Sequence, residues 1–116
     1  YSAHSTGSSA LWCEIPIITK SGNSFTSNVA SSMLKALDLQ ELITTNDEEY
    51  INLAVNMAKD KETLKKLKLK LKNNKLSKLL FNTKKYTSNI EKAFENIYSL
   101  KCKNKKLVDL EVDKLL

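Results

Sequence analysis

The stretch Pro16-Ile17-Ile18-Thr19-Lys20-Ser21-Gly22-Asn23-Ser24-Phe25 decides how this 116-residue chain is to be read. It joins a short apolar run to a polar turn, and the turn to an amphipathic segment. Pro16 and the Ser21-Gly22-Asn23 turn bound the run, which predicts a buried strand over Ile15–Thr19. Beyond the turn, Val29, Met33, Leu34 and Leu37 recur at helical spacing and predict a helix from Phe25 to Leu37. Leu42-Ile43-Thr44 predicts a second short strand at the sheet edge. Asn46 then reads as a helix cap with an acidic first turn, Asp47-Glu48-Glu49. In the helix it opens, Tyr50, Leu53, Ala54, Met57 and Ala58 form a core-facing stripe. Strand, helix, strand, helix in that order is the signature of the closing units of an open α/β sheet.

Upstream, the chain begins Tyr1-Ser2-Ala3-His4-Ser5-Thr6-Gly7-Ser8-Ser9-Ala10-Leu11-Trp12, without an initiator Met, as expected of a piece of a larger protein. A hydroxyl-rich turn ending in Gly7 runs into Ala10, Leu11 and Trp12, which predicts a helix from Gly7 to about Glu14 capped by Thr6. Such a turn leaves several backbone N–H groups unpaired and pointing one way. With the positive end of the helix dipole behind them they suit a phosphate or pyrophosphate. The plain alternative is an ordinary Ser/Thr-capped helix.

Downstream, Lys66 to Lys72 alternates Lys and Leu, the period of a half-buried strand. Both residue types are good helix formers and neither is β-branched. With Asp60 as cap, Leu64, Leu67 and Leu71 make one helical stripe and only Leu69 is misplaced, so the segment is expected to be helical. A polar turn is expected at Asn73-Asn74, then an apolar anchor at Leu79-Leu80-Phe81. Asn82 or Thr83 starts a last helix with Tyr86, Ile90, Ala93, Phe94 and Ile97 on its inner face. Trp12, Val29, Leu34, Leu53, Met57 and Phe94 are expected in the core.

Charge is unevenly spread. Residues 1–58 hold two lysines against six acids, and residues 59–116 hold seventeen against seven, so −4 and +10 make up the net +6. All nineteen basic residues are Lys, while Asn occurs eleven times. Sequence-reading nucleic-acid surfaces rely on Arg for bidentate and stacking contacts, and single-strand binders interleave aromatics with the cations. Neither device is present in the Lys59–Lys78 stretch, so a solvated face without specific nucleic-acid readout is expected. Cys13 and Cys102 have no metal-type spacing and fit a reducing compartment. No apolar run approaches the roughly 18 residues of a membrane span, and a cytoplasmic protein without membrane contact is expected.

An ordered set of residues extends these readings. His4-Ser5-Thr6-Gly7, Ala10-Leu11-Trp12, Pro16, Thr19, Gly22, Ser24-Phe25, Ser27, Val29-Ala30 and Ser32 come first. Glu41-Leu42-Ile43, Glu49-Tyr50, Leu80-Phe81-Asn82-Thr83, Tyr86-Thr87 and Ile90-Glu91 follow. From about Ser2 to Tyr98 the chain resembles the C-terminal part of the catalytic region of the protein O-linked N-acetylglucosaminyltransferase family (O-GlcNAc transferase, SPINDLY-like, with tetratricopeptide repeats). The resemblance implies a GT-B glycosyltransferase, with a UDP-sugar held between two Rossmann-like halves. This chain would be the end of the second half, mostly helical with two short parallel strands. Residues 1–100 would belong to the nucleotide-sugar-binding lobe and 101–116 would form a Lys-rich C-terminal extension.

The implied site follows residue by residue. His4, Ser5, Thr6 and Gly7 match the family's diphosphate-binding turn, with Gly7 allowing close backbone approach and His4 donating to phosphate rather than acting as a base. Ser9 stands where the family has an acid on the ribose hydroxyls, Asn28 where it usually has Arg, and Cys13-Glu14 where it has Ala-Gly. The implied donor is UDP-N-acetylglucosamine, with no cofactor and no metal, and the acceptor is a protein engaged by regions outside these residues. No catalytic residue is expected within this chain, which alone would not catalyse transfer. Two other classes stay open: a degenerate lobe with a structural or assembly role, and a basic module binding anions or nucleic acid.

Overall fold

The computed structural model describes residues 2–103. Five helices and two strands follow in the order α1 (Ser5–Trp12), β1 (Thr19–Lys20), α2 (Phe25–Ala36), β2 (Ile43–Thr44), α3 (Asp47–Lys59), α4 (Lys61–Ser77) and α5 (Thr83–Cys102), with a 3₁₀ turn at Gln40–Leu42 leading into β2. The strands pair in parallel, Thr19 opposite Ile43 and Lys20 opposite Thr44. They are shorter than the sequence predicts. β2 offers only two residues to pair, so Ile17 and Ile18 pack on the core without joining a ladder, and Leu42 closes the 3₁₀ turn. The chain separates into two units, one ending at Phe81 and one beginning at Asn82.

In the first unit the core is Leu11, Ala30, Met33, Leu34, Leu37, Leu39, Leu42, Met57, Leu67 and Leu71, with Val29 and Leu53 among the half-buried residues packed on it. The expected stripe of α3 is only partly inward, for Tyr50 is 41% exposed. Helix starts follow the sequence closely. Ser24 opens α2 with a capping box, and the side chains of Asn46 and Asp60 accept first-turn N–H groups of α3 and α4. In α4, Leu67 and Leu71 are buried while Leu69 stands 60% exposed, so the Lys/Leu alternation is helical.

Three expectations are corrected. Helix α1 begins at Ser5 with His4 as N-cap, so Thr6 lies inside the helix and does not cap it. Helix α4 runs through Asn73-Asn74 without a turn. Asn74 is used elsewhere, donating from Nδ2 to the Leu37 carbonyl at 2.7 Å and so capping the C-terminal end of α2. Trp12, expected in the core, is 54% exposed. Its ring meets Phe81 edge-on at 5.1 Å rather than wedging between helix and sheet.

In the second unit Asn82 caps α5 through the Lys85 N–H. Phe94, the other residue expected in the core, is 66% exposed, and Tyr86 is 67% exposed. The described part of this unit is a single helix, and one helix cannot bury an apolar stripe against itself. Of the extension expected at 101–116, residues 101–103 continue α5 and its end, and the rest lies outside the described residues.

Lysines of α4 and its C-cap bind the first half of the chain. Lys70 pairs with Glu41 at 2.7 Å, Lys75 with Glu14 at 2.7 Å and Lys78 with Asp38 at 3.7 Å. Asp38 and Glu14 both have positive φ, 58° and 63°. Each sits just past a helix end where glycine is usual. The bonds there are of Schellman type: Asp38 N–H to Lys35 O with Leu39 N–H to Leu34 O, and Glu14 N–H to Leu11 O with Ile15 N–H to Ala10 O. Both chain reversals thus place a carboxylate toward α4.

Candidate functional site

The N-terminal end of α1 differs from the start of every other α-helix among the described residues. α2 to α5 each have a side chain accepting a first-turn N–H, whereas His4 at the start of α1 supplies none. The N–H groups of Ser5, Thr6 and Gly7 precede the first i→i−4 bond of the helix, which Ser8 makes to His4 O at 3.0 Å. His4, Ser5 and Thr6 are exposed. Three donors, two hydroxyls and an imidazole therefore lie together at the positive end of a helix dipole.

Two contacts hold this turn against α2. Ser2 donates from N and from Oγ to the Thr26 carbonyl, at 3.1 and 2.8 Å, and its Oγ accepts the Ala30 N–H at 3.3 Å. Gly7 is buried, and a Cβ there would lie 3.0 Å from Ala3 Cβ, 3.2 Å from Met33 Cε and 3.4 Å from Ile17 Cδ1. The absence of a side chain thus serves helix-to-core packing. Ser9, one turn along, is exposed and donates its hydroxyl back to the Ser5 carbonyl at 3.1 Å. Asn28 is set apart from the turn: its amide donates to the Gly22 and Ser24 carbonyls and closes the loop between β1 and α2.

The far end of α1 carries a cluster that sequence reasoning missed. The Lys75 ammonium lies 2.7 Å from Glu14 Oε1, 3.1 Å from the Trp12 carbonyl and 5.1 Å from the centre of the Trp12 ring. The hydrogen bond from Lys75 holds the Glu14 carboxyl below its ordinary value, with the Lys75 and Lys72 charges acting the same way. A cation at a helix C-terminus also answers the negative end of the dipole. The only trace of this in the sequence is an acid, Glu14, following an apolar helix end, together with the surplus of Lys far downstream.

A cleft of about 440 Å³ opens at the carboxyl ends of β1 and β2, where ligands of open α/β sheets are commonly found. Ser2, Lys20, Ser21, Asp47 and Tyr50 are among its lining, and Lys20 pairs with Asp47 at 2.7 Å. His4, Ser5 and Thr6 are not part of that lining; Ser2 and Ala3 connect the two places. Among the described residues no group of three His, Cys, Asp or Glu side chains could hold a metal ion. No helix among them is long and apolar enough to cross a membrane.

A family model described as Glycosyl transferase family 41 matches residues 1–90. The chain is 34% identical over 88 residues to a UDP-N-acetylglucosamine–peptide N-acetylglucosaminyltransferase of Caenorhabditis elegans, a stretch covering 76% of this chain and 8% of that protein. It is 28% identical over 102 residues to the SPINDLY protein of Petunia hybrida, named a probable enzyme of the same type, covering 88% of this chain and 11% of that one. The fold is similar to that of a Thermobaculum terrenum O-GlcNAc transferase mutant, with TM-score 0.83 and 29% identity, over 90% of this chain and 20% of that one. The chain thus spans about a tenth of the curated relatives' length. A mostly helical α/β part of a GT-B half with two short parallel strands, as the sequence implied, is what the structure has.

Proposed function

The chain belongs to glycosyl transferase family 41, and from that premise we propose that the protein carrying it transfers N-acetylglucosamine from UDP-N-acetylglucosamine to Ser or Thr of a protein acceptor. In this reading His4, Ser5, Thr6 and Gly7 hold the donor diphosphate. The observation that carries it is the start of α1, the one α-helix among the described residues whose first-turn N–H groups lack a side-chain cap.

The chemistry follows from where charge develops. As the bond from the sugar to the β-phosphate breaks, negative charge grows on the departing UDP. Donors already fixed toward that oxygen stabilise it without reorganising. The N–H groups of Ser5 to Gly7 and the Thr6 hydroxyl are such donors, and His4 adds one more from its ring. The Ser9 hydroxyl donates to the Ser5 carbonyl and keeps its lone pairs to accept from a ribose hydroxyl, but it lacks the charge-assisted bond that a carboxylate would make. Neither a cofactor nor a metal is needed for this role, and the acceptor is engaged outside these residues.

Two substitutions in the full-length protein test the reading. Thr6→Val keeps the shape and deletes one donor; turnover should fall roughly 10- to 1000-fold, on the scale of a lost oxyanion donor, with a smaller change in KM. Ser9→Asp should tighten UDP binding. If both variants behave as wild type, the turn is a relic and this part of the protein has a structural role.

A further inference from the structure

Resting on that reading, we propose that Lys75 is a positioning residue for the diphosphate turn: it sets the axis of α1 from the end opposite the turn. Helix α1 has eight residues, so it is only about 12 Å long at 1.5 Å per residue. It is held at three places. Ser2 ties its approach to α2, Gly7 rests near Met33 and Ile17, and Lys75 grips its last carbonyl, its reversal and its Trp12 ring. The turn itself has no side-chain cap to fix it.

The grip is built, rather than a chance surface pair. The Lys75 side chain is 14% exposed, against 39–44% for the other three paired lysines. One ammonium serves three groups, and Glu14 keeps a left-handed backbone, φ 63°, in order to present its carboxylate. The middle support at Gly7 makes α1 a short lever. By helix rise, Trp12 lies about 7.5 Å from Gly7 and Ser5 about 3 Å on the other side. A 1 Å drift of the Trp12 end therefore moves the Ser5 N–H by roughly 0.4 Å the opposite way. Donors that act on developing charge lose effect at displacements of that order, because orientation as well as distance degrades.

Lys75→Met in the full-length protein removes the ammonium and keeps most of the apolar stem. The expected result is a roughly tenfold fall in kcat with KM for UDP-N-acetylglucosamine changed less than threefold, and Lys75→Arg restoring at least half of the lost rate. The double variant Lys75→Met with Glu14→Gly separates positioning from stability. It removes both the unpaired carboxylate and the strained backbone, so thermal stability should return while kcat stays low. Wild-type kcat in Lys75→Met, or recovery of kcat together with stability in the double variant, overturns the proposal. If Lys75→Met does not fold, Lys75→Arg with Glu14→Gln decides: the cation remains but its partner is neutral, and an unchanged kcat overturns the proposal. Thr6→Val measured alongside keeps the two claims apart. A slow Thr6→Val with a wild-type Lys75→Met rejects the lever alone, and wild-type behaviour of both Thr6→Val and Ser9→Asp rejects both claims.

Discussion

Gly7→Ala is the substitution whose outcome can be worked furthest from the geometry. Inside a helix this exchange normally stabilises by about 0.5–1 kcal/mol, because glycine loses more backbone freedom on folding. Position 7 is the third residue of α1, near a fraying end, so the lower figure applies. Against that gain, the new methyl would lie 3.0 Å from Ala3 Cβ and 3.2 Å from Met33 Cε. Carbon atoms attract best at about 3.5–4.0 Å, so Ala3 must retreat by roughly half an ångström. Met33 presents the free end of a flexible chain and can turn aside at about 0.5–1.5 kcal/mol if it leaves its rotamer. Ala3 has no such freedom, since the Ser2 bonds to Thr26 and Ala30 anchor it. Losing one of those bonds costs about 1 kcal/mol. The sum is a net destabilisation of about 1 kcal/mol and a displaced Ala3-His4 segment. Calorimetric titration of the full-length variant with UDP should show weaker binding, because the Ala3-His4 segment is displaced, and hydrogen exchange in α1 should be faster. A variant with slower exchange and undiminished UDP affinity would refute the packing argument.

Leu71→Ala removes a side chain with no exposed surface from the centre of the core and should cost about 2–5 kcal/mol, read as faster hydrogen exchange in α2 and α4 together; a change confined to α4 would contradict a shared core. Acid should loosen the starts of α3 and α4. The Thr45 backbone and side chain hold Glu49 below its ordinary 4.5, and the Thr63 side chain and backbone hold Asp60 below its ordinary 3.8. A carboxylate depressed on folding stabilises above its unfolded value, and that contribution disappears as pH falls through the folded one. Exchange in the first turn should therefore accelerate below about pH 4.5 in α3 and below about pH 3.8 in α4, and Glu49→Gln should flatten the response of α3.

Much of the fold was legible because its determinants are local. Asn46, Asp60 and Asn82 cap helices through their own side chains, a decision taken within three residues. The stripe Leu64, Leu67 and Leu71 overrode the strand-like alternation because helix propensity and periodicity agreed. What was not legible depends on partners remote in sequence. Asn73-Asn74 has the composition of a turn, yet Asn74 serves a carbonyl 37 residues away. Trp12 and Phe94 carry large apolar surfaces that argue for burial, but burial requires a facing element. Trp12 has Phe81 and an ammonium on it instead. In the site, residues 4–7 could be seen to open a helix, although Thr6 turned out not to be its cap. Gly7 could not be seen to face Met33, nor Glu14 to be left-handed, because both follow from packing across the unit.

The reach of Lys75 has a consequence for where the site begins and ends along the polypeptide. It contacts the Trp12 carbonyl across 63 positions, and an isolated helix as short as α1 is well below the roughly 12–15 residues needed to persist in water. Helix α4 is no more self-sufficient. Lys61, Lys65, Lys68 and Lys72 follow one another at three- and four-residue steps, so along one face each repels the next. Each helix therefore takes its shape from the elements packed against it, the other among them. The His4–Gly7 turn transplanted alone would be an unstructured peptide, and a graft meant to test the proposed anion site would have to bring α2 and α4 along with it.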